Sequence, residues 1–164
     1  MAQISGLGKR FEEKFKLDFK RSFPTGTIDR IYDTTNGFKS ISNISDFIGY
    51  SYPYIMYLEC KSHLGNTWNF SYFTQYEKLL NKLDLKGVIA GVVLWMIDHD
   101  KVVFLPIATI KKMKEDGCKS FNIKMLSENK YNIIDIPSVK KRIFMDSDYS
   151  CLLLNADQME VKNG

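Results

Sequence analysis

The chain has 164 residues, 45% of them apolar and 26% charged, with a formal net charge of +4. Those values are ordinary for a soluble globular chain of one domain, and the mild positive charge permits a polyanionic partner without demanding one. Cys60, Cys118 and Cys151 are the 3 cysteines and form no CxxC pair, so neither a disulfide framework nor a zinc site is suggested. The longest apolar run, 88–97, is too short to span a bilayer, and no apolar run follows Met1, so a cytoplasmic protein is expected.

In chain order, the first segment reads as a helix. Ile4, Leu7, Phe11, Phe15 and Phe19 recur at spacings of three and four, giving one apolar stripe over 4–19 with Ser5 as N-cap. Glu12 adjoins that stripe and can reach inward from its edge, with Glu13 as its near rival. Phe23-Pro24-Thr25-Gly26 breaks the helix, 28–32 is extended, and Thr34-Thr35-Asn36-Gly37 signals a turn. A hairpin is expected over 44–61, turning at Ser51-Tyr52-Pro53-Tyr54. A polar loop then leads to Trp68, Phe70, Tyr72 and Phe73, a cluster that is more often core than a base-stacking platform. His63 and His99 read as solvated surface histidines.

Thr74 is expected to cap a second helix over 75–83. The nearly continuous apolar run 88–97 fits a strand buried on both faces. Asp98-His99-Asp100 turns it into a strand ending at Leu105, and Pro106 opens a helix that closes near Gly117. Further on the pattern weakens. Short strands are expected over 131–136, 142–145 and 151–154, with 155–164 a polar, frayed tail. The order predicts one α/β domain over 1–164, a mixed central sheet flanked by helices, with its core at about 4–115 and 116–154 as an extension.

The strand over 55–61 carries the chemistry. Met56, Leu58 and Cys60 share a wholly apolar face, whereas Tyr57, Glu59 and Lys61 share the other. A hairpin centred between Tyr52 and Pro53 sets Asp46 opposite Glu59, with Cβ atoms about 4.5–5.5 Å apart. Two opposed carboxylates repel unless a cation lies between them, and a cation with oxygen ligands is most simply Mg²⁺. A slip of one residue would break the pairing. Asp46, Glu59 and Lys61 are therefore the candidate site. Lys9, Arg10, Lys14, Arg21, Arg30 and Lys39 are candidates for contacts to the phosphates of a polyanionic partner.

Asp46 followed by Glu59-Cys60-Lys61 on a hairpin resembles the PD-(D/E)xK nuclease core, and within it the RecU-type Holliday junction resolvases and their phage-encoded relatives. Gly8-Lys9-Arg10-Phe11-Glu12-Glu13 resembles that family's first-helix opening, and Ser45-Asp46-Phe47-Ile48-Gly49 its Asp-x-x-Gly strand. Leu58-Glu59-Cys60-Lys61-Ser62 resembles its Glu-Ala-Lys strand, and Phe73-Thr74-Gln75 the start of its next helix. The resemblance implies a restriction-endonuclease-like fold and a Mg²⁺-dependent endonuclease, with Mn²⁺ as a substitute. It would resolve four-way junctions by phosphodiester hydrolysis in DNA recombination and repair. The partners implied are branched DNA and a second copy in a homodimer, with no membrane, in the host cytoplasm if the chain is phage-encoded.

By position, the resemblance makes Asp46 and Glu59 metal ligands and Gln75 a further ligand or positioning residue. It has Lys61 offset charge on the phosphate and makes Glu12 the first-helix acid. One departure is Ile44, where the family usually has a threonine. Two alternatives stand beside this reading: a nuclease of the same core that cuts ordinary duplex DNA, and a non-catalytic DNA-binding module of the same fold.

Overall fold

The computed structural model describes residues 2–32, 34–36, 39–41 and 43–163, with 2–5, 34–36, 39–41 and 163 described by backbone alone. The elements begin with α1 (Ala2–Ser22), β1 (Thr27–Arg30), β2 (Thr34–Asn36), β3 (Lys39–Ile41), β4 (Phe47–Ser51), β5 (Tyr54–His63) and β6 (Thr67–Asn69). They continue with α2 (Tyr76–Leu80), β7 (Val88–Met96), β8 (Lys101–Pro106), α3 (Ile107–Glu115), β9 (Ser120–Asn122) and α4 (Met125–Glu128). The chain closes with β10 (Ile134–Asp135), β11 (Ser138–Lys140), β12 (Met145–Ser147) and α5 (Cys151–Asn163).

The central sheet has 6 strands in the order β1-β4-β5-β7-β8-β10. Only β5 and β7 run parallel, and the remaining neighbours are antiparallel. Parallel neighbours need a crossover connection, and residues 64–87, which include α2, supply it. The mixed sheet flanked by helices is thus the fold the sequence predicts.

Both faces of the sheet are covered. Phe11, Phe15 and Phe19 of α1 pack on Phe47, Met56, Leu58 and Cys60, joined there by Tyr149 and Leu152 from the end of the chain. On the other face, Val92, Leu94, Val103 and Leu105 pack beneath Leu79 of α2 and Ile107, Ile110 and Met113 of α3. Trp68, Phe70, Phe73 and Phe121 complete that second layer. Gly49 shows how closely α1 lies: a Cβ there would stand 2.7 Å from Cζ of Phe19. Any larger residue at position 49 would push the helix off the strand that leads to Glu59.

The β4–β5 hairpin has the register expected from its turn residues. Phe47 pairs with Leu58 and Ser51 with Tyr54, leaving Tyr52 and Pro53 as the turn.

Several local expectations give way to the tertiary structure. Helix α1 starts at Ala2 and ends at Ser22, so Ser5 lies within it and is not its cap. The hydroxyl of Ser22 donates to the Asp18 carbonyl at 2.7 Å, closing the last turn beyond the expected end. Thr34–Asn36 forms the strand β2, which pairs antiparallel with β3 up to Asn36 opposite Lys39, so the chain reversal expected at 34–37 comes after Asn36. Gly37 of the expected turn lies outside the described residues. Helix α2 is short, spanning Tyr76–Leu80, and Thr74 does not cap it. Its N-cap is Gln75, while the Thr74 hydroxyl donates to the Gln75 side chain at 2.9 Å.

The end of the chain departs furthest from expectation. Of 131–136, only Ile134–Asp135 forms a strand, and the strand expected over 142–145 lies at Met145–Ser147. Residues 151–154 and the tail behind them form one helix, α5. Its composition alone would fray, but tertiary contacts hold it. Leu152 is buried in the core, the Tyr54 hydroxyl donates to Asp157 at 2.6 Å, and the Gly87 N–H donates to Glu160 at 3.0 Å.

Candidate active site

The hairpin brings Asp46 and Glu59 together. Asp46 lies one residue before β4 and falls opposite Glu59 in the same register. The Asp46 N–H donates to Glu59 Oε2 at 3.1 Å, and the Cys60 N–H donates to Asp46 Oδ2 at 2.9 Å. Each carboxylate is thus held by a backbone amide of the opposite strand, which fixes both without consuming a side chain. Lys61 follows on the face of Glu59, with Nζ 3.0 Å from Glu59 Oε1.

Two further charges close the cluster from the first helix and the edge strand. Arg30 lies at the end of β1, where Arg30 pairs with Phe47. Its guanidinium is 3.0 Å from Glu12 Oε2 and 3.4 Å from Asp46 Oδ1, and it also donates to the Asp46 carbonyl at 3.0 Å. The rings of Tyr32 and Phe47 lie at 5.3 and 5.4 Å from it, which fixes its plane. Glu12 reaches this group from the edge of the α1 stripe, as its position in the sequence suggests, whereas Glu13 is exposed. The opening beside the cluster is a cleft of about 600 Å³ lined by Gly8, Glu12, Arg30, Phe47, Lys61 and Ser62.

Burial sets the electrostatics. Glu59 is 1% exposed because its strand face is roofed by the second apolar layer. Loss of hydration, then the charge of Asp46, pushes its carboxyl up to about 7, against the opposing pull of Lys61 and the Asp46 amide. The same causes, desolvation first and Asp46 second, raise Glu12 against the pull of Arg30. Neighbouring acids that resist joint ionisation are what a cation relieves.

The donor set fits a hard divalent ion held on one side only. No group of three His, Cys, Asp or Glu side chains able to hold a metal occurs among the described residues, so there is no all-protein cage. Mg²⁺ needs none, being usually bound through one or two carboxylates with water and substrate phosphate completing its shell. Asp46 and Glu59 are the two carboxylates that could serve as that pair. Gln75 is engaged locally, its Oε1 accepting from Thr74 at 2.9 Å. Ile44 packs partly buried against the α2 layer, and the adjacent Ser45 hydroxyl donates to the Phe47 carbonyl at 2.8 Å.

The cations singled out in the sequence separate into distinct settings. Lys9 and Arg10 are exposed on α1, with Arg10 lying 5.1 Å from the Phe144 ring. Lys14 is tied to Asp18 and lies 2.7 Å from Asp146, and Arg21 is 2.8 Å from Asp18. The Lys14–Asp146 pair ties α1 to β12, whereas the two pairs to Asp18 lie within α1. The side chain of Lys39 lies outside the described residues. Arg30 is the residue whose setting sequence reasoning missed, counting it only among the candidates for phosphate contacts. The available signal was its strand parity: Arg30 shares a face with Ile28, which is 3% exposed and in the core, so both must point inward.

No family model matches this chain, and no curated protein matches it. Among solved structures it is similar to a Holliday junction resolvase from the archaeal hyperthermophile Archaeoglobus fulgidus, at 17% identity and a TM-score of 0.48. That likeness covers 62% of this chain and 78% of the other.

Proposed function

We propose that the chain is a Mg²⁺-dependent, structure-selective DNA endonuclease that resolves four-way junctions by phosphodiester hydrolysis. The observation that carries the hydrolytic part is the opposition of Asp46 and Glu59 across the hairpin, with Lys61 3.0 Å from Glu59. Junction DNA as the substrate follows from the motif resemblance, as does a homodimer that would set two sites on two strands.

Asp46 and Glu59 would hold the ion, whose chemistry is to polarise the scissile phosphate and acidify a water. Lys61 presents a compact charge on the same face, suited to phosphoryl oxygens that gain negative charge as the bond to phosphorus forms. Arg30 orients Glu12 and Asp46 through its fork, which also limits their mutual repulsion. Exposed Lys9, which lines the cleft, offers the DNA backbone a positive approach.

Cleavage of a synthetic four-way junction beside a linear duplex of the same sequence tests this. With Mg²⁺ the junction should be cut in preference, with EDTA neither should be, and Asp46→Asn or Glu59→Gln should lower the rate at least about a hundredfold. Equal cutting of both DNAs would assign the chain to duplex nucleases instead. Cutting by Asp46→Asn at the wild-type rate would remove the site.

A further inference from the structure

Two aromatic rings extend the line of the candidate site. Tyr57, Glu59, Lys61 and His63 share one face of β5, and His63 comes about 6.6 Å beyond Lys61 along the strand. The His63 ring lies 6.1 Å from that of Tyr72, with planes 38° apart. Tyr72 is 58% exposed, whereas its neighbours Phe70 and Phe73 are 7% and 3% exposed.

Both rings stand on fixed backbone. In the turn that carries Tyr72, the Ser71 N–H donates to Asn69 Oδ1 at 2.8 Å, the Phe73 N–H to the Phe70 carbonyl at 2.9 Å, and the Phe70 N–H to the Lys119 carbonyl at 3.0 Å. Beyond His63, the Gly65 N–H donates to Asp98 at 2.6 Å, and Asn66 Oδ1 is 2.7 Å from His99 Nε2. A single exposed tyrosine is unremarkable on any surface, and Tyr52, 83% exposed, sits in the turn that precedes β5. Tyr72 differs in having a second ring beside it, that of His63, which continues the row of Glu59 and Lys61 along β5. The exposed Lys119, whose carbonyl anchors the turn, adds positive charge at this edge.

We infer that Tyr72 and His63 form a stacking platform for one unpaired base next to the phosphodiester held over Asp46, Glu59 and Lys61. The inference rests on the nuclease reading and deepens it, by naming what the site takes from branched DNA: a nucleotide whose base has left its stack. Every base has a π-face, so such a platform selects for structure and tolerates any sequence. A base inside continuous duplex must first leave its neighbours, which disfavours linear DNA.

The test uses a four-way junction with 2-aminopurine at successive positions around the branch, bound to the whole chain with Ca²⁺ in place of Mg²⁺. Fluorescence reports stacking, and anisotropy reports affinity. Wild type and Tyr72→Phe should quench the probe at one position. Tyr72→Ala should abolish that quench and weaken junction binding about five-fold or more, with the salt dependence and the affinity for linear duplex unchanged. His63→Ala should give a partial loss at the same position, and both alanine variants should melt like wild type. Wild-type quenching by Tyr72→Ala, or an equal loss on linear duplex, would overturn the platform alone. Failure of the wild type to bind any of these DNAs would overturn the nuclease reading and the platform with it.

Discussion

Glu59 is a carboxyl at about 7 in a site 1% exposed, and its titration must leave a mark on stability. In the unfolded chain a glutamate titrates near 4.3. Between about pH 4.5 and 7 the native state therefore binds a proton that the unfolded state has released. Stability falls as pH rises through that window and levels off above it, by up to about 4 kcal/mol for this one group. Glu12, also raised, adds a slope of the same sign. Urea unfolding in EDTA at pH 5 and pH 8 should show the metal-free protein weaker at pH 8. Glu59→Gln should lose most of that difference and be the more stable protein at pH 8; an unchanged difference would mean that Glu59 ionises normally. The Asp46–Glu59 pairing was legible in the sequence because a short hairpin is local, and its turn residues set the register. Arg30 was not, because its place depends on β1 pairing with β4 through a register that no nearby turn dictates.

Among the elements, α1 holds the site from one side, and its backbone tie to β12 passes through Asp18. That carboxylate is 2% exposed and accepts from Lys14, from Arg21 at 2.8 Å and from the Ser147 N–H at 3.1 Å. Replacing Asp18 with alanine strands the Ser147 amide and leaves Lys14 only Asp146. The expected cost is about 3 kcal/mol, or roughly 6–12 °C in Tm by calorimetry. Asp18→Asn, which keeps an acceptor, should lose less. A Tm unchanged in the alanine variant would mean that β12 does not depend on α1. The α1 stripe was readable at once, since Phe11, Phe15 and Phe19 carry the helical period themselves. Helix α5 was not: the polar character of 155–164 pointed to a frayed tail, and only Tyr54 and Gly87, distant in sequence, explain why it stays folded.

At the scale of the whole molecule, the paired strands β5 and β7 are clamped at opposite ends. Near the site, Gly8 of α1 comes close enough that a Cβ there would be 3.7 Å from the Ser62 hydroxyl. At the other end, α5 is pinned to Tyr54 and Gly87. If α5 is integral to that clamp, Leu152→Ala should cost about 2–5 kcal/mol in urea unfolding, as for any fully buried leucine. A loss below about 0.5 kcal/mol, the range of surface changes, would show α5 to be dispensable. The helix–hairpin–helix order gave away the layered architecture because each element carries its own period. The small sheets formed by β9 and by β11–β12 lack that signal, being 3 residues per strand.

The sheet's margins carry one more consequence. It ends on one side in β10, 2 residues long, and on the other in β1, 4 residues long and bearing Asp29 and Arg30. Short, charged borders offer few free amides and carbonyls for another chain to zip against, which protects the protein from edge-to-edge aggregation. The same borders constrain how two copies can meet. A dimer that continued one sheet into the next molecule would gain at most a ladder of 4 residues at β1, so helices or loops would have to supply most of its interface.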